Sequence, residues 1–288
     1  MRLQAIASYT TVCFVSSRPS SYVPRRVRLR PLHPRLSQSA AVPRYTRFLM
    51  RVFVILPAAG LGTRMAPGQV APNAAKQFLD LAGIPILIHS LRAFAAVPQV
   101  SAIIVAVRAS EIERVRAIVA EHHLAGRVTV VEGGDSRQES VGRALAAVQA
   151  EDDDIVLVHD AVRPLIDSAT IARTIEAVAE YGAAIVGLPA IDTIKQVERT
   201  AHGAIIRTTI PREYVVQAQT PQGFRWSLLK RAFAEAEADG FAGTDEASLV
   251  ERAGCQVAVV PGSPANLKIT QPGDLELAEF YLARRQSA

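Results

Sequence analysis

The chain has 288 residues, 49% of them hydrophobic and 20% charged, a composition that can bury a sizeable core and excludes disorder of the whole chain. Its formal charge of +5 is unevenly placed: the first 51 residues hold ten Arg and no Asp or Glu, whereas residues 52–288 hold 22 Lys and Arg against 27 Asp and Glu. An acidic body argues against nucleic acid as a partner, because a nucleic-acid-binding face shows its basic excess within the fold. No apolar run reaches the roughly 18 residues needed to span a bilayer. The two cysteines, Cys13 and Cys255, supply neither a disulfide framework nor a zinc site. The expectation is a soluble protein of a reducing compartment, the cytoplasm, with a plastid or other organelle as the alternative.

That alternative comes from residues 1–49, which are rich in Arg and Ser, lack acids, and carry five Pro between Pro19 and Pro43, the composition of an organelle transit peptide. Leu3–Val15 has the length of a secretory apolar region, but Gln4, Ser8, Thr10 and Thr11 dilute it. The favoured reading is an over-extended start, with Met50 opening "MRVFVILPAAG". The expected organisation is therefore a disordered basic extension over 1–49 and one catalytic domain over 50–288.

Within that domain, apolar runs predict buried strands at Val52–Pro57, Ala102–Val107, Val128–Val131, Ile155–His159, Ala183–Leu188 and Val257–Val260. Amphipathic stretches predict helices at about Ile86–Ala96, Glu111–Glu121, Gln138–Gln149, Ala169–Tyr181 and Trp226–Ala238, and a last one at about Pro272–Arg284. Strand-helix alternation of this kind specifies an α/β fold, a Rossmann-like three-layer body with a mostly parallel sheet. Asp192–Val216 breaks the rhythm with Thr, Arg and β-branched residues, and reads as a β-hairpin arm.

Three segments carry chemistry. The first strand runs into "PAAGLGTRM" (Pro57–Met65), where small residues and Gly60 and Gly62 let a backbone approach phosphate closely. Met65 stands where a dinucleotide fingerprint needs its third glycine, and no Walker G-K-S/T follows. Arg64 is placed behind this turn for two-point contact with phosphate oxygens. Lys76, in "AKQFLDLAG", returns a second cation to the same phosphates or is a solvated surface lysine. "EGGDSRQES" (Glu132–Ser140) sets Gly133 and Gly134 at another strand end, where open α/β sheets bind ligands, with Asp135 as the helix N-cap. "DDDIVLVHDAVRP" (Asp152–Pro164) ends an apolar strand in His159–Asp160, putting a carboxylate where Mg²⁺ is held by one or two carboxylates plus substrate phosphates. Arg163 follows it; His159 reads as a satisfied core histidine, and no Ser-His-Asp set is evident.

In order, "PAAGLGTRM", "KQF", "GGDSRQES", "HDAVRP", Asp192–Thr193, "QTPQGF" (Gln219–Phe224), "TDEAS" (Thr244–Ser248) and "NLKIT" (Asn266–Thr270) resemble the 2-C-methyl-D-erythritol 4-phosphate cytidylyltransferases over roughly residues 52–284. The spacer from Met65 to Lys76 is longer than that pattern has, Ala75 stands in place of its Pro, and Val162 in place of its Ala. The resemblance implies transfer of CMP from CTP to 2-C-methyl-D-erythritol 4-phosphate, with a ribitol 5-phosphate cytidylyltransferase as the alternative. It implies that Arg64 and Lys76 stabilise the transition state, that Asp160 holds Mg²⁺, and that Arg212 and Lys268 position the acceptor phosphate. Arg163, Thr193 and Thr244 would surround the polyol. The backbone of Ala58, Ala59 and Gly60, with Gly134, Asp135 and Ser140, would enclose the nucleotide. It further implies a homodimer in which the arm hooks over the partner. Taken without the resemblance, Arg212 is a solvated arginine, Thr244 the N-cap of the helix starting "DEAS", and Lys268 an edge-strand charge.

Overall fold

The computed structural model describes residues 50–60 and 75–287. The extension 1–49 and Arg64 therefore lie outside the described residues.

Seven strands form one sheet: β1 (Val52–Pro57), β4 (Val100–Val107), β5 (Val128–Glu132), β6 (Ile155–Val158), β7 (Ala183–Pro189), β10 (Val216–Arg225) and β11 (Ala258–Pro261), in the order β11-β7-β10-β6-β1-β4-β5. Alternation along β1 sets the layers. Val52, Val54 and Leu56 pack into one core with α1 (Ile86–Ala95), α2 (Ile112–Glu121) and α4 (Ser168–Tyr181). Phe53 and Ile55 face the other, with α3 (Arg137–Ala146), α5 (Trp226–Ala238) and α6 (Glu246–Arg252). Period-two side chains with apolar residues on both faces are what a sheet covered by helices on both sides requires. A third, smaller cluster seats α7 (Pro272–Gln286) beside a short hairpin of β2 (Asp80–Leu81) and β3 (Ile84–Pro85). That hairpin was not foreseen; its turn uses Ala82 and Gly83, both at positive φ.

The larger surprise is β10. It runs antiparallel to both neighbours, β6 and β7, while every other pair in the main sheet is parallel. Its register shifts between Ala218 and Gln222, where Pro221 sits, a residue without a ladder donor. Gly223 lies under α4: a Cβ there would come within 2.7 Å of both Leu157 Cδ2 and Val178 Cγ2. Gly223→Ala is expected to destabilise by about 1–3 kcal/mol through overpacking. An unchanged denaturation midpoint would show that α4 simply moves aside.

The segment expected to form an arm holds a hairpin of β8 (Ile194–Thr200) and β9 (Gly203–Ile210), a two-stranded sheet of its own with nearly every residue exposed. Two cap assignments need correction. Ser136, not Asp135, caps α3, its hydroxyl accepting from Glu139 N. Asp245, not Thr244, caps α6 in a capping box with Ser248. In each case the neighbouring residue is the one that adopts the extended, half-in conformation of a cap.

Candidate active site

The chain leaves β1 for β4 on one side, and returns from α3 to β6 on the other. This reversal of strand order opens a crevice at the carboxyl edge, where open α/β sheets take ligands. A pocket of about 310 Å³ occupies it, lined by Pro57–Gly60, Lys76, Gly134–Arg137, Ser140, Asp160 and Lys268–Thr270, among others. A groove of about 850 Å³ between α3 and α5 is larger but mostly apolar, with no comparable convergence of charges.

One wall of the pocket is made of backbone pinned from behind. Ala58 N donates to Ala106 O at 2.7 Å. The carbonyls of Ala58 and Ala59 accept from Gln77 Nε2 (2.6 Å) and Arg108 Nε (2.9 Å). Facing them, Gly133 admits no side chain, since a Cβ would meet Ala59 Cβ at 2.8 Å and Ser140 Oγ at 3.0 Å. The buried Ser140 hydroxyl accepts from Gly134 N (3.0 Å) and donates to Ser136 O (2.8 Å), closing the turn into α3. Asp135 stands exposed at the rim, its N–H donating to Glu139 Oε2.

Charge gathers on Asp160, one residue beyond His159 at the end of β6. Lys268 Nζ lies 2.9 Å from Oδ2, Arg163 Nε 3.4 Å from Oδ2, and Arg137 Nε 3.3 Å from Oδ1. Burial alone would raise the carboxyl, but Arg137, Lys268 and Arg163 outweigh it and hold Asp160 well below the usual carboxylate range. The backbone N–H of Asp160 donates to Thr220 Oγ1, and that hydroxyl lies 3.0 Å from His159 Nδ1. Arg163 O, 3.1 Å from Nε2, can only accept, so the neutral ring carries its proton on Nε2 and Nδ1 accepts from the Thr220 hydroxyl. Burial lowers its pKa to about 4, so it is a neutral, satisfied core histidine packed edge-on to Phe94. Arg163 is buried, and its Nη1 donates to Asn266 O. Lys76 is also buried, in a short 3₁₀ turn, with Nζ 2.7 Å from Thr270 O.

The structure thus brings together Ala58, Ala59, Gly60, Lys76, Gly134, Asp135, Ser140, Asp160 and Lys268 as pocket lining, with Arg163 directly behind Asp160. Thr193, Arg212 and Thr244 are outside that lining, all three on exposed positions; the Arg212 guanidinium donates to Ile191 O. Two further residues of these motifs belong to the site without a local signal in the sequence: Arg137, whose Nη1 reaches both carboxylate oxygens of Glu246 at 2.6 and 2.7 Å, and Glu246 itself, 1% exposed.

Among the described residues, no three of His, Cys, Asp and Glu converge as a ready-made metal site. The donor chemistry still fits a divalent cation that brings most of its ligands with it: Asp160 stays ionised and lines the pocket, and phosphate oxygens can complete an octahedral Mg²⁺ shell.

A crevice at a strand-order reversal, a backbone cradle and converging cations are the features of an α/β protein suited to a phosphorylated ligand. The family profile of 2-C-methyl-D-erythritol 4-phosphate cytidylyltransferase (IspD) matches residues 52–284. The chain belongs to this family, whose members are nucleotidyltransferases. It is 76% identical over 238 residues to the Acidobacterium capsulatum protein of that name, covering 83% of this chain and 100% of that protein. It is 55% identical to the Solibacter usitatus one, covering 81% and 96%. Among solved structures, the enzyme of that name from Thermus thermophilus aligns with a TM-score of 0.63 at 35% identity, covering 82% of this chain and 100% of that one. The 4-diphosphocytidyl-2C-methyl-D-erythritol synthase from Anaerococcus prevotii aligns with a TM-score of 0.69 at 27% identity, covering 81% and 96%. No helix among the described residues is long and apolar enough to cross a membrane.

Proposed function

We propose that the chain transfers CMP from CTP to the phosphate of 2-C-methyl-D-erythritol 4-phosphate, releasing pyrophosphate. The observation that carries this reading is the pocket at the β1/β6 crevice, with a phosphate cradle on one wall and Lys76, Arg137 and Lys268 around the rest, in a chain of this family.

The acceptor is a phosphomonoester with a second pKa near 6, so its oxygen is already largely anionic at neutral pH. No general base is needed, which agrees with a neutral, internally bonded His159. The task is instead to bring two anions together and stabilise charge as the α-phosphate is displaced in line. Lys76 and Arg64 would meet the developing charge, and Lys268 would meet the acceptor phosphate. Arg163, buried against Asp160 and Asn266 O, would act on the acceptor side mainly by fixing Asp160. The backbone at Ala58–Gly60 and Gly134–Asp135, braced by Ser140, would enclose CTP. Mg²⁺, held by Asp160 and phosphate oxygens, would neutralise charge on the triphosphate.

Asp160→Asn is expected to keep the fold while raising the Mg²⁺ concentration needed for half-maximal activity. An unchanged Mg²⁺ titration would remove Asp160 from the metal's shell.

The domain reading accompanies this proposal: catalysis resides in residues 50–288, and 1–49 contribute nothing to it. The site is completed across the interface of a homodimer by the arm, with Arg212 reaching the acceptor phosphate of the neighbouring subunit's site while Thr193 stays near its own. In support, the segment exposes Ile191, Val197, Ile205, Ile206, Tyr214 and Val216, an apolar surface suited to a second copy. Turnover of CTP with 2-C-methyl-D-erythritol 4-phosphate, compared with ribitol 5-phosphate, tests the function. Faster turnover of the ribitol ester would overturn the choice of acceptor.

A further inference from the structure

Arg137 and Glu246 stand 109 residues apart in sequence. Glu246 opens α6, whose start is fixed from β10: Gln222 Nε2 donates to Asp245 Oδ2 at 2.7 Å, and Gln222 Oε1 accepts from Ala247 N at 3.1 Å. The Glu246 carboxylate is therefore delivered to one place, inside the protein, facing Arg137. A buried carboxylate separated from its cation is strongly disfavoured, so Arg137 Nη1 is held to it. This divides the guanidinium. Nη1 serves Glu246, Nε reaches Asp160, and Nη2 has no acceptor among the described residues although Arg137 lines the pocket.

We propose that Glu246 is a positioning residue for the nucleotide, anchoring Arg137 so that its guanidinium touches Asp160 by one edge and presents Nη2 to a phosphate oxygen of the bound triphosphate. The identity of that nucleotide as CTP rests on the function proposed above. Without the anchor, Arg137 would rotate onto Asp160 and pair with it along a full edge, the preferred geometry of an arginine and a carboxylate. The donor aimed at phosphate would then be lost, and Asp160 would be claimed by protein.

The sign of the effect separates positioning from simple charge. Removing a negative charge near a triphosphate should tighten binding if only Coulomb attraction counts, whereas losing the anchor should weaken it. The test is a double-mutant cycle on the full chain, with CTP affinity measured by calorimetry in Mg²⁺ without acceptor. Glu246→Gln and Arg137→Gln are each expected to weaken CTP binding about tenfold, and Glu246→Gln in the Arg137→Gln background to change it less than about twofold. The KM for the acceptor should stay as in the wild type, a split that a general loosening of the fold would not produce. Tighter binding by Glu246→Gln, additive losses, or a lowered Tm with unchanged affinity would overturn the proposal. If Glu246→Gln does not fold, the double variant, which leaves neither charge alone, should bind CTP as Arg137→Gln does; weaker binding would overturn it. A wild-type protein that prefers another nucleoside triphosphate would instead sink the choice of CTP, and the same cycle is then read with that nucleotide.

Discussion

Lys76→Met is expected to lower kcat on the order of 10²-fold or more, the loss typical when one preorganised charge-stabilising donor is removed from a reaction that accumulates charge. The expectation rests on how Lys76 is held. It is 8% exposed, in a 3₁₀ turn whose next residue, Gln77, also pins Ala58, and its ammonium is fixed at Thr270 O. A cation anchored in this way needs little reorganisation as the transition state forms. Methionine keeps most of the buried volume, so a loss in rate is not a loss of packing. Arg64→Ala is expected to act likewise from its place in the "PAAGLGTRM" motif. Steady-state kinetics decide the role: if kcat held while KM rose, the lysine would serve binding of the ground state and transition state alike.

Mixing two inactive proteins, Arg212→Ala and Asp160→Ala, is expected to restore up to roughly a quarter of wild-type activity under random pairing into two-fold dimers. Half the dimers would be mixed. In each of these, one site would combine an intact Asp160 with the partner's intact Arg212, and the other would lack both. The placement of Arg212 is what makes the experiment decisive. It is exposed, donates to Ile191 O, and stands apart from the pocket of its own chain. No recovery after proven subunit exchange would assign Arg212 to its own subunit's site.

The apolar strands were legible because a sheet covered on both faces writes itself as continuous hydrophobic runs; β1, β6 and β7 needed no other signal. β10 was not legible for the opposite reason. Gln219, Thr220 and Gln222 are buried, but as hydrogen-bonding groups that tie Ser263, His159 and α6 to the sheet, so the strand reads as a polar loop. Caps slipped by one residue at Asp135 and Thr244 because Asp-Ser and Thr-Asp each offer two capable side chains in succession. The motif residues that line the pocket were legible, since their chemistry is written in residue type. Arg137 and Glu246 lay inside the same motifs unselected, because a pairing across 109 residues has no local signature.

β10 also bears on how the molecule is assembled in time. β6 and β7 are successive strands joined through α4, yet they never pair with each other; the main sheet is two parallel blocks, β6-β1-β4-β5 and β7-β11, joined by one late strand running the other way. The blocks themselves are not local: β1 meets β6 at Val52–Ile155 and β7 meets β11 at Ala184–Ala258, both longer closures than the Val158–Gln222 and Ala184–Gly223 pairings of β10. Loop closure must precede the pairing that rewards it, which places the β1–β6 and β7–β11 joins, ahead of the antiparallel seam, among the non-local, slow steps of folding. The backbone N–H of Asp160 is bonded to Thr220 in β10, so the pocket between β1 and β6 needs both the long β1–β6 closure and the shorter doubling back of β10.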